Sequence, residues 1–244
     1  MTSWTPDDSE LFNTYGEAFV PRRREQFAML CALIDPLPTP SVLELGCGTG
    51  LLTAEILRAY PAAVVTAIDS SETMLAEASR RLAPFGDRSD LRTVDLLDRA
   101  WRTGTYGAVV TSLAVHHLDD VQKRDLIQAV YDRLAPGGVF AQADLTRPAT
   151  PRITTLAAAT WDASVGDQSI ELFGDDEALD AFRRSRWNTF HFPDPVDRPA
   201  TLVHTIGWLH EAGFVGIDVP WAFAGHTVLS AMRPRVPGGG ADSA

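Results

Sequence analysis

Cysteine is scarce in this sequence, which contains only Cys31 and Cys47 among 244 residues. Two cysteines cannot build a disulfide framework or a zinc site made of four thiolates. The sequence therefore gives no reason to expect an oxidising compartment, and a reducing cytoplasm is the predicted location.

Long apolar segments are also missing. The longest apolar run, around Ala62 to Ile68, is far shorter than the roughly 20 residues that a membrane-spanning helix needs. Residues Met1 to Glu10 are polar and acidic, unlike the basic start and apolar stretch of a secretory signal. We therefore predict that the protein is cytoplasmic and has no membrane partner.

Basic residues are outnumbered, with 21 Lys and Arg against 32 Asp and Glu and a net charge of −11. A surface of this sign repels a polyanion and releases few counterions on binding it. The short basic run Arg22 to Arg24 does not change this expectation, because such runs are usually solvated faces. We expect a small-molecule partner and no nucleic acid; the sequence leaves the oligomeric state open, with a homodimer as one option.

Short β-rich runs alternate with helical patterns along most of the chain, which predicts parallel strands joined by crossover helices. The last two runs have no helix between them and predict an antiparallel hairpin. We expect Pro136-Gly137-Gly138 to form a turn before the fifth strand. The predicted strands are Ser41 to Leu45, Ala63 to Ile68, Leu91 to Val94, Ala108 to Ser112, Val139 to Ala143, Val215 to Val219 and Thr227 to Met232.

A glycine-rich segment, Val42 to Gly50, follows the first predicted strand and opens a helix. This is the position at which doubly wound sheets bind ligands. A dinucleotide fingerprint would place its third glycine where this chain has Leu51, and it would bring a pyrophosphate close to Glu44. Coulomb attraction by Glu44 instead favours a cationic ligand in this cleft.

The segment Val42 to Gly50 resembles the first motif of class I S-adenosylmethionine-dependent methyltransferases. The stretches Tyr106 to Leu118 and Leu134 to Phe140 are similar to the fourth-strand and fifth-strand motifs of that family, in the same order and spacing. The resemblance covers about residues 40 to 145. It implies a Rossmann-like, doubly wound α/β fold with a seven-stranded sheet in the order 3-2-1-4-5-7-6, in which only strand 7 is antiparallel.

The resemblance also implies a division of the chain. We expect a single domain over residues 1–235, with N-terminal lid helices in 1–38 and a cofactor-binding core in 39–145. A helical substrate cap would follow strand 5 in 146–200, and a helix and β-hairpin would occupy 201–235. Residues 236–244 are predicted to form a disordered tail.

The implied cofactor is S-adenosylmethionine, which becomes S-adenosylhomocysteine. By resemblance, the Asp69 carboxylate accepts both ribose hydroxyls, Asp95 and the Leu96 amide contact the adenine, and Met74 packs on it. Arg22 or Arg23, after the lid, is expected to reach the methionine carboxylate. The predicted cofactor-binding residues are Glu44, Gly46, Cys47, Gly48, Asp69, Ser70, Met74, Asp95, Leu96, Ser112, Tyr15, Arg22 and Arg23.

Within the superfamily, residues Trp208 to Met232 and the segment Val115 to Leu118 resemble the subgroup that includes carboxy-S-adenosylmethionine synthase. That synthase holds its extra carboxylate with an arginine on the helix corresponding to Ala200 to Ala212, and this chain has no arginine there. We therefore expect methyl transfer to a small molecule. The alternatives are a synthase that modifies the cofactor and a non-catalytic S-adenosylmethionine-binding protein.

Candidate catalytic residues follow the fourth and fifth strands. His116 or His117 has a suitable unperturbed pKa for a general base, and Asp144 is placed to orient a substrate amine. No third and fourth ligand lie at a useful spacing from the histidine pair, so no metal site is predicted. An aromatic-rich cap would suit an apolar or aromatic acceptor. The candidate substrate-binding residues are Trp161, His191, Trp187 and Trp221.

Overall fold

The structure, a computed structural model, describes residues 6–235. One seven-stranded sheet has the order β3-β2-β1-β4-β5-β7-β6, as the resemblance implies. The predicted disordered tail, residues 236–244, lies outside the described residues. The strands are β1 Ser41–Leu45, β2 Val64–Asp69, β3 Ser89–Thr93, β4 Tyr106–Ser112, β5 Leu134–Leu145, β6 Val215–Phe223 and β7 His226–Met232.

Within residues 6–235, eight α-helices cover the sheet and its carboxyl edge, together with 3-10 turns at Ala83–Arg88 and Val115–His117. No described helix is both long and apolar enough to cross a membrane. The helices are α1 Pro6–Phe19, α2 Arg23–Leu33, α3 Leu51–Ala59, α4 Glu72–Leu82, α5 Asp120–Arg133, α6 Pro151–Phe173, α7 Glu177–Arg184 and α8 Leu202–Ala212.

The strand directions confirm the predicted topology. Strand β1 pairs in parallel with both β2 and β4, whereas β7 runs antiparallel to β5 and to β6. The strand order reverses between β1 and β4, so the crossover helices leave a crevice at the carboxyl ends of these two strands. A crevice of this kind is where open α/β sheets bind ligands.

The fifth strand begins earlier than the sequence predicts. Strand β5 starts at Leu134 and runs through Pro136-Gly137-Gly138, where the pairing with β4 shifts register. A Cβ on Gly138 would lie 2.8 Å from the carbonyl oxygen of Ala135 and 3.0 Å from that of Gly107. The predicted turn is therefore an irregularity inside the strand, and glycine is needed because two backbones approach closely there.

The two N-terminal helices belong to different layers, which corrects the prediction that residues 1–38 form one lid. Helix α1 contacts α6 and α7, the two helices of the predicted cap. Helix α2 contacts α3, β5 and β7, and its Phe27 and Leu30 lie in the core beneath the sheet. Of these two helices, α1 is the one that packs on α6 and α7.

The hydrophobic core has three parts. One lies between the sheet and α2, α3 and α4, and a second lies between the other face and α5 and α8. A third, aromatic cluster contains Phe19, Trp161 and Phe182, which bring α1, α6 and α7 together. The cap therefore has a core of its own, located over the carboxyl edge.

Candidate active site at the carboxyl edge of the sheet

The loop between β1 and α3 is shaped by glycines. Gly46 and Gly48 have φ of 68° and 52°, in the left-handed region that other residues rarely adopt. A Cβ on Gly46 would overlap the Cβ of Ala114, whereas a Cβ on Gly48 would meet no protein atom within 4 Å. The Cys47 amide donates to the carbonyl of Ile68 at 2.9 Å. The loop is thus held against β2 and β4, and open space remains above Gly48.

Asp69, the last residue of β2, faces this loop. Its Oδ2 accepts from the Gly48 amide at 2.8 Å, and its Oδ1 accepts from the Ser71 amide at 2.8 Å. Burial raises the pKa of Asp69, and these backbone hydrogen bonds oppose the rise. Each oxygen keeps a further lone pair for a ligand. Ser70 is exposed beside it, and Ser71 caps α4 by accepting from the Met74 amide at 3.3 Å.

The predicted adenine contacts lie next to Asp69. Met74 is buried, and Asp95 is exposed, with its Oδ1 accepting from the Leu97 amide at 2.8 Å. The Asp95 charge is close enough to raise the pKa of Asp69. Leu96 is half-buried in the loop that follows β3. Ser112 ends β4 on the other side of β1, half-buried and paired with Ala143.

Glu44 is buried below the loop, and its Oε2 is bonded to the Thr53 hydroxyl. Its pKa is raised to about 8, mainly by burial and also by the charge of Asp69, while the Thr53 hydrogen bond and the nearby Arg23 oppose the rise. At neutral pH most Glu44 side chains therefore hold a proton. This corrects the expectation that Glu44 attracts a cationic ligand as a permanent negative charge.

Arg23 is the N-terminal candidate that approaches the glycine loop. Its guanidinium lies 5.0 Å from the ring centroid of Phe12 and 5.2 Å from that of Phe27, and it interacts electrostatically with Glu44. Its Nε is buried and has no hydrogen-bond partner among residues 6–235. Burial lowers the Arg23 pKa to about 10, so the group remains cationic at neutral pH. A buried donor of this kind requires an acceptor.

The other two N-terminal candidates have different partners. The Arg22 guanidinium stacks on Phe223 at 4.1 Å, and the Tyr15 hydroxyl donates to Glu177 at 2.6 Å. Tyr15 therefore faces α7 in the cap, and Arg22 faces β6.

The candidate catalytic residues meet where β4 and β5 end. Leu113 has a φ of 54°, an unfavourable conformation for leucine that starts the turn carrying His116 and His117. His116 Nδ1 lies 2.5 Å from Asp144 Oδ1. The Asp144 carboxylate also accepts from the amides of Val115, His116 and Leu145 at 3.0, 3.1 and 2.8 Å. Asp144 is thus enclosed, and it holds the His116 ring rather than a substrate amine.

Asp197, in the segment that leads from the cap to α8, is a site residue that the sequence reasoning missed. Its Oδ1 lies 3.5 Å from His116 Nε2 and 3.3 Å from His117 Nδ1. The Arg198 amide donates to the carbonyl of His116 at 2.8 Å and fixes this approach. Burial tends to raise the pKa of Asp197, but the hydrogen bond from His117 and the charge of His116 lower it overall. Nothing in the sequence around Asp197 signals this contact.

Burial raises the cost of charging both histidines, but their pKa values move in opposite directions. The Asp144 carboxylate outweighs the burial of His116 and raises its pKa. Burial and the neighbouring His116 lower the pKa of His117. His117 is therefore neutral at pH 7, and it is also the more exposed member of the pair, with 31% of its side chain accessible.

The candidate substrate-binding residues do not line one pocket. Trp161 is buried in the cap core, where its Nε1 donates to the carbonyl of Phe19 at 2.7 Å. Trp187 packs against Phe19 at a ring distance of 5.2 Å. The predicted role of these two tryptophans is corrected: they hold α1 against the cap because their rings supply its core.

The remaining two candidates lie apart from that cluster. Trp221, on β6, donates from Nε1 to Glu25 Oε2 at 3.1 Å. His191 is exposed, and its Nε2 lies 3.1 Å from Asp162 Oδ2. Neither contact involves the histidine pair or the glycine loop, so the structure does not bring these residues to the candidate site.

Comparison with known proteins agrees with this geometry. Residues 42–138 match the family model described as a methyltransferase domain. The chain is 28% identical over 238 residues to the trans-aconitate 2-methyltransferase of Deinococcus radiodurans, with 96% of this chain and 75% of the relative covered. This relative is similar along nearly the whole chain, including the cap.

Two solved structures share the fold. An O-methyltransferase family protein from Burkholderia thailandensis has a TM-score of 0.67 at 17% identity, covering 94% of this chain and 60% of that one. Human N-acetylserotonin methyltransferase in complex with S-adenosylmethionine has a TM-score of 0.58 at 15% identity, covering 96% of this chain and 60% of that one. The chain thus spans about 60% of the length of these two structures.

The sheet order and the glycine loop define a Rossmann-like methyltransferase fold. Residues 42–138 therefore resemble a methyltransferase domain, and the chain is similar to a methyltransferase along nearly its whole length; the cofactor that this similarity indicates is S-adenosylmethionine.

Proposed function

We propose that this protein transfers the methyl group of S-adenosylmethionine to an oxygen atom of a small molecule. The observation that supports the proposal is that two groups of polar residues lie on either side of the point where the strand order reverses, between β1 and β4. The glycine loop and Asp69 lie at the ends of β1 and β2, and the cluster of His116, His117 and Asp197 lies beyond β4. The similar proteins include a trans-aconitate 2-methyltransferase and an O-methyltransferase family protein, which supports an oxygen acceptor.

The residues of the first site fit the cofactor. Open space above Gly48 leaves room for a ligand against the backbone, and Asp69 has free lone pairs for two hydroxyls. The unsatisfied Arg23 Nε suits a carboxylate, which a guanidinium binds strongly. Met74, Asp95 and Leu96 would hold the adenine. When bound, the cofactor supplies an electrophilic methyl group on a sulfonium.

The protein mainly has to hold the acceptor in line with that methyl group and exclude water. Positioning of this kind contributes roughly 7–11 kcal/mol to lowering a barrier. The cap core, built from α1, α6 and α7, covers the carboxyl edge and would exclude water. No strong base is needed if the acceptor is already a carboxylate, because its oxygen carries the lone pair.

An acceptor that arrives as a hydroxyl must lose a proton. We propose that the cluster of His116, His117 and Asp197 promotes this loss, with the half-exposed His117 nearest the acceptor. Asp144 acts through His116 as a positioning residue, because its carboxylate is enclosed by backbone amides and the imidazole. Cofactor carboxylation is less well supported, since Leu202–Ala212 contains no arginine.

The test is formation of S-adenosylhomocysteine with a panel of carboxylic acids, including trans-aconitate, and a matched panel of phenols and alcohols. A productive acceptor should give one methylated product per S-adenosylhomocysteine released. Single-turnover rates of His116→Ala and His117→Ala follow with that acceptor. No product with any acceptor would contradict the proposed activity. If neither variant changes the rate tenfold, the histidines take no part in proton loss.

A further inference from the structure

Three polar side chains converge beyond the carboxyl end of β4. One ring nitrogen each of His116 and His117 and one carboxylate oxygen of Asp197 all lie within 4.8 Å of one another. The histidines follow β4, whereas Asp197 comes from the far end of the cap. The sequence therefore offered two ligands at most, and folding supplies a third.

The spacing of these atoms is compatible with metal ligands. Asp197 Oδ1 is 3.5 Å from His116 Nε2 and 3.3 Å from His117 Nδ1. Ligand atoms placed about 2.0–2.1 Å from a tetrahedral metal ion are about 3.3 Å apart. Both distances are close to the edge length of a coordination tetrahedron.

The surroundings hold the ligands in place. Asp144 Oδ1 lies 2.5 Å from His116 Nδ1 and directs the opposite nitrogen of the ring to Asp197. A carboxylate on the far side of a ligating imidazole is the usual outer partner in protein metal sites. Asp197 is fixed in turn, because its amide donates to the carbonyl of Asp194 at 3.1 Å.

Accessibility and charge also suit a bound cation. His116 is buried, while 31% of the His117 side chain and 21% of the Asp197 side chain are accessible, which leaves one side open. The opposing charge is Lys123, whose ammonium is bonded to the carbonyls of Leu118 and Arg198. Two carboxylates, Asp144 and Asp197, outweigh that single cation.

We propose that His116, His117 and Asp197 bind a divalent transition metal ion of the zinc class, with Asp144 as the outer partner. Two imidazoles and one carboxylate are typical ligands of such ions. The consequence for catalysis rests on the proposed function. An acceptor hydroxyl at the open position would lose its proton to solvent more easily. Its oxygen would then form the bond to the methyl carbon as the carbon–sulfur bond breaks and the electron pair passes to sulfur.

Metal binding is tested on the full-length, tag-free chain after treatment with a chelator. Co²⁺ is added with visible absorption as the readout, and Zn²⁺ with calorimetry. We expect one equivalent of Co²⁺ with the intense absorption of a four- or five-coordinate ion, displaced by Zn²⁺. Asp197→Asn should weaken binding at least tenfold. His191→Ala is the matched control, because it removes a histidine paired with an aspartate elsewhere, and it should change nothing.

The contradicting results are equally specific. Absence of saturable Co²⁺ and Zn²⁺ binding would overturn the metal site, as would affinity that is the same in Asp197→Asn and in the parent chain. Full activity of the chelated enzyme on a hydroxyl acceptor would overturn the catalytic consequence. These outcomes are separable from the proposed function. Visible absorption reports metal binding without any acceptor, and methyl transfer to a carboxylate acceptor would need no metal ion.

Discussion

The two halves of the carboxyl edge are built differently. On the cofactor side, the decisive contact joins Gly48, in the loop after β1, to Asp69, at the end of the adjacent strand β2 and only 21 residues away. On the acceptor side, Trp161 bonds to Phe19 across 142 residues, and Asp197 returns from the cap to the histidine pair. A site formed within one supersecondary unit depends on the local backbone, whereas a site formed between distant segments depends on the packing of the cap.

The largest effect on the cofactor side is expected when one methyl group is added to the glycine loop. Gly46→Ala forces a left-handed conformation and places Cβ into Ala114, so we expect loss of cofactor binding and a marked fall in melting temperature. Gly48→Ala is the control, because its Cβ meets open space. It should fold at a cost of about 1–2 kcal/mol yet bind cofactor at least tenfold more weakly. Equal melting temperatures for the two variants would contradict this account.

On the acceptor side, the larger effect should come from the buried histidine. His116→Ala leaves the Asp144 carboxylate buried without its imidazole, and loss of one partner of a buried pair costs about 3–5 kcal/mol. His117→Ala, at a half-exposed position, should cost less than about 1 kcal/mol while slowing transfer to a hydroxyl acceptor. Chemical denaturation measures both changes. The roles of the two histidines would be reversed if His117→Ala were the less stable variant.

A smaller effect is expected at the ribose contact. Asp69→Ala should lower the affinity for the cofactor by about 1.5–3 kcal/mol, the range for hydrogen bonds to a charged group. Calorimetry on the folded variant measures this loss. Asp95→Ala is the companion variant, and its loss should be smaller because Asp95 is exposed. Unchanged affinity in Asp69→Ala would refute the contact.

Cofactor binding should depend on pH through Glu44, a residue of the cofactor side. Glu44 has a pKa of about 8 in the unliganded chain, and the positive charges of the cofactor favour its ionised form. Binding should release a proton, so affinity rises as the pH increases toward about 8 and then levels off. Calorimetry of Glu44→Gln between pH 6 and about 8.5 should show no such rise.

The same group gives a linked prediction for stability. Because the folded pKa of Glu44 lies above its ordinary value of 4.5, the folded chain holds a proton that the unfolded chain has lost. The free energy of unfolding should therefore decrease as the pH rises from about 4.5 to about 8. Glu44→Gln should lack this decrease, and an identical pH profile in both proteins would show that the side chain is ionised throughout.

The smallest effect is expected at His191. Its side chain is exposed, and its Nε2 lies 3.1 Å from Asp162 on the cap surface, so His191→Ala should change stability by less than about 0.5 kcal/mol. The Michaelis constant for the acceptor should not change either. A severalfold rise in the Michaelis constant would show that His191 binds the acceptor and that the outer loop of the cap belongs to the acceptor site.

The features that the sequence could predict also lie mainly on the cofactor side of the carboxyl edge. The sheet order, the glycine loop and the placement of Asp69 at a strand end could be predicted, because periodicity and a contiguous motif encode them. Trp161 was misassigned because composition cannot distinguish an aromatic core from an aromatic pocket. The contact of Asp197 with His117 depends on how α6 and α7 return the chain to the sheet, and no local pattern specifies that path.

The charge state of Glu44 also lay beyond the sequence. An acidic residue in a motif suggests a negative charge, but the pKa depends on burial under the loop and on the Thr53 hydroxyl. On the proposed function, the cofactor would be held by specific contacts: Asp69 supplies an acceptor for ribose hydroxyls, and Arg23 supplies a buried donor for a carboxylate.

Whether the glycine loop and Asp69 bind an adenosyl ligand is decided by calorimetric titration of the purified chain with S-adenosylhomocysteine, S-adenosylmethionine and a nicotinamide dinucleotide. We expect saturable binding of one equivalent of each adenosyl ligand, weakened by Asp69→Ala, and no saturable heat with the dinucleotide. Saturable binding of the dinucleotide together with no binding of either adenosyl ligand would contradict this expectation.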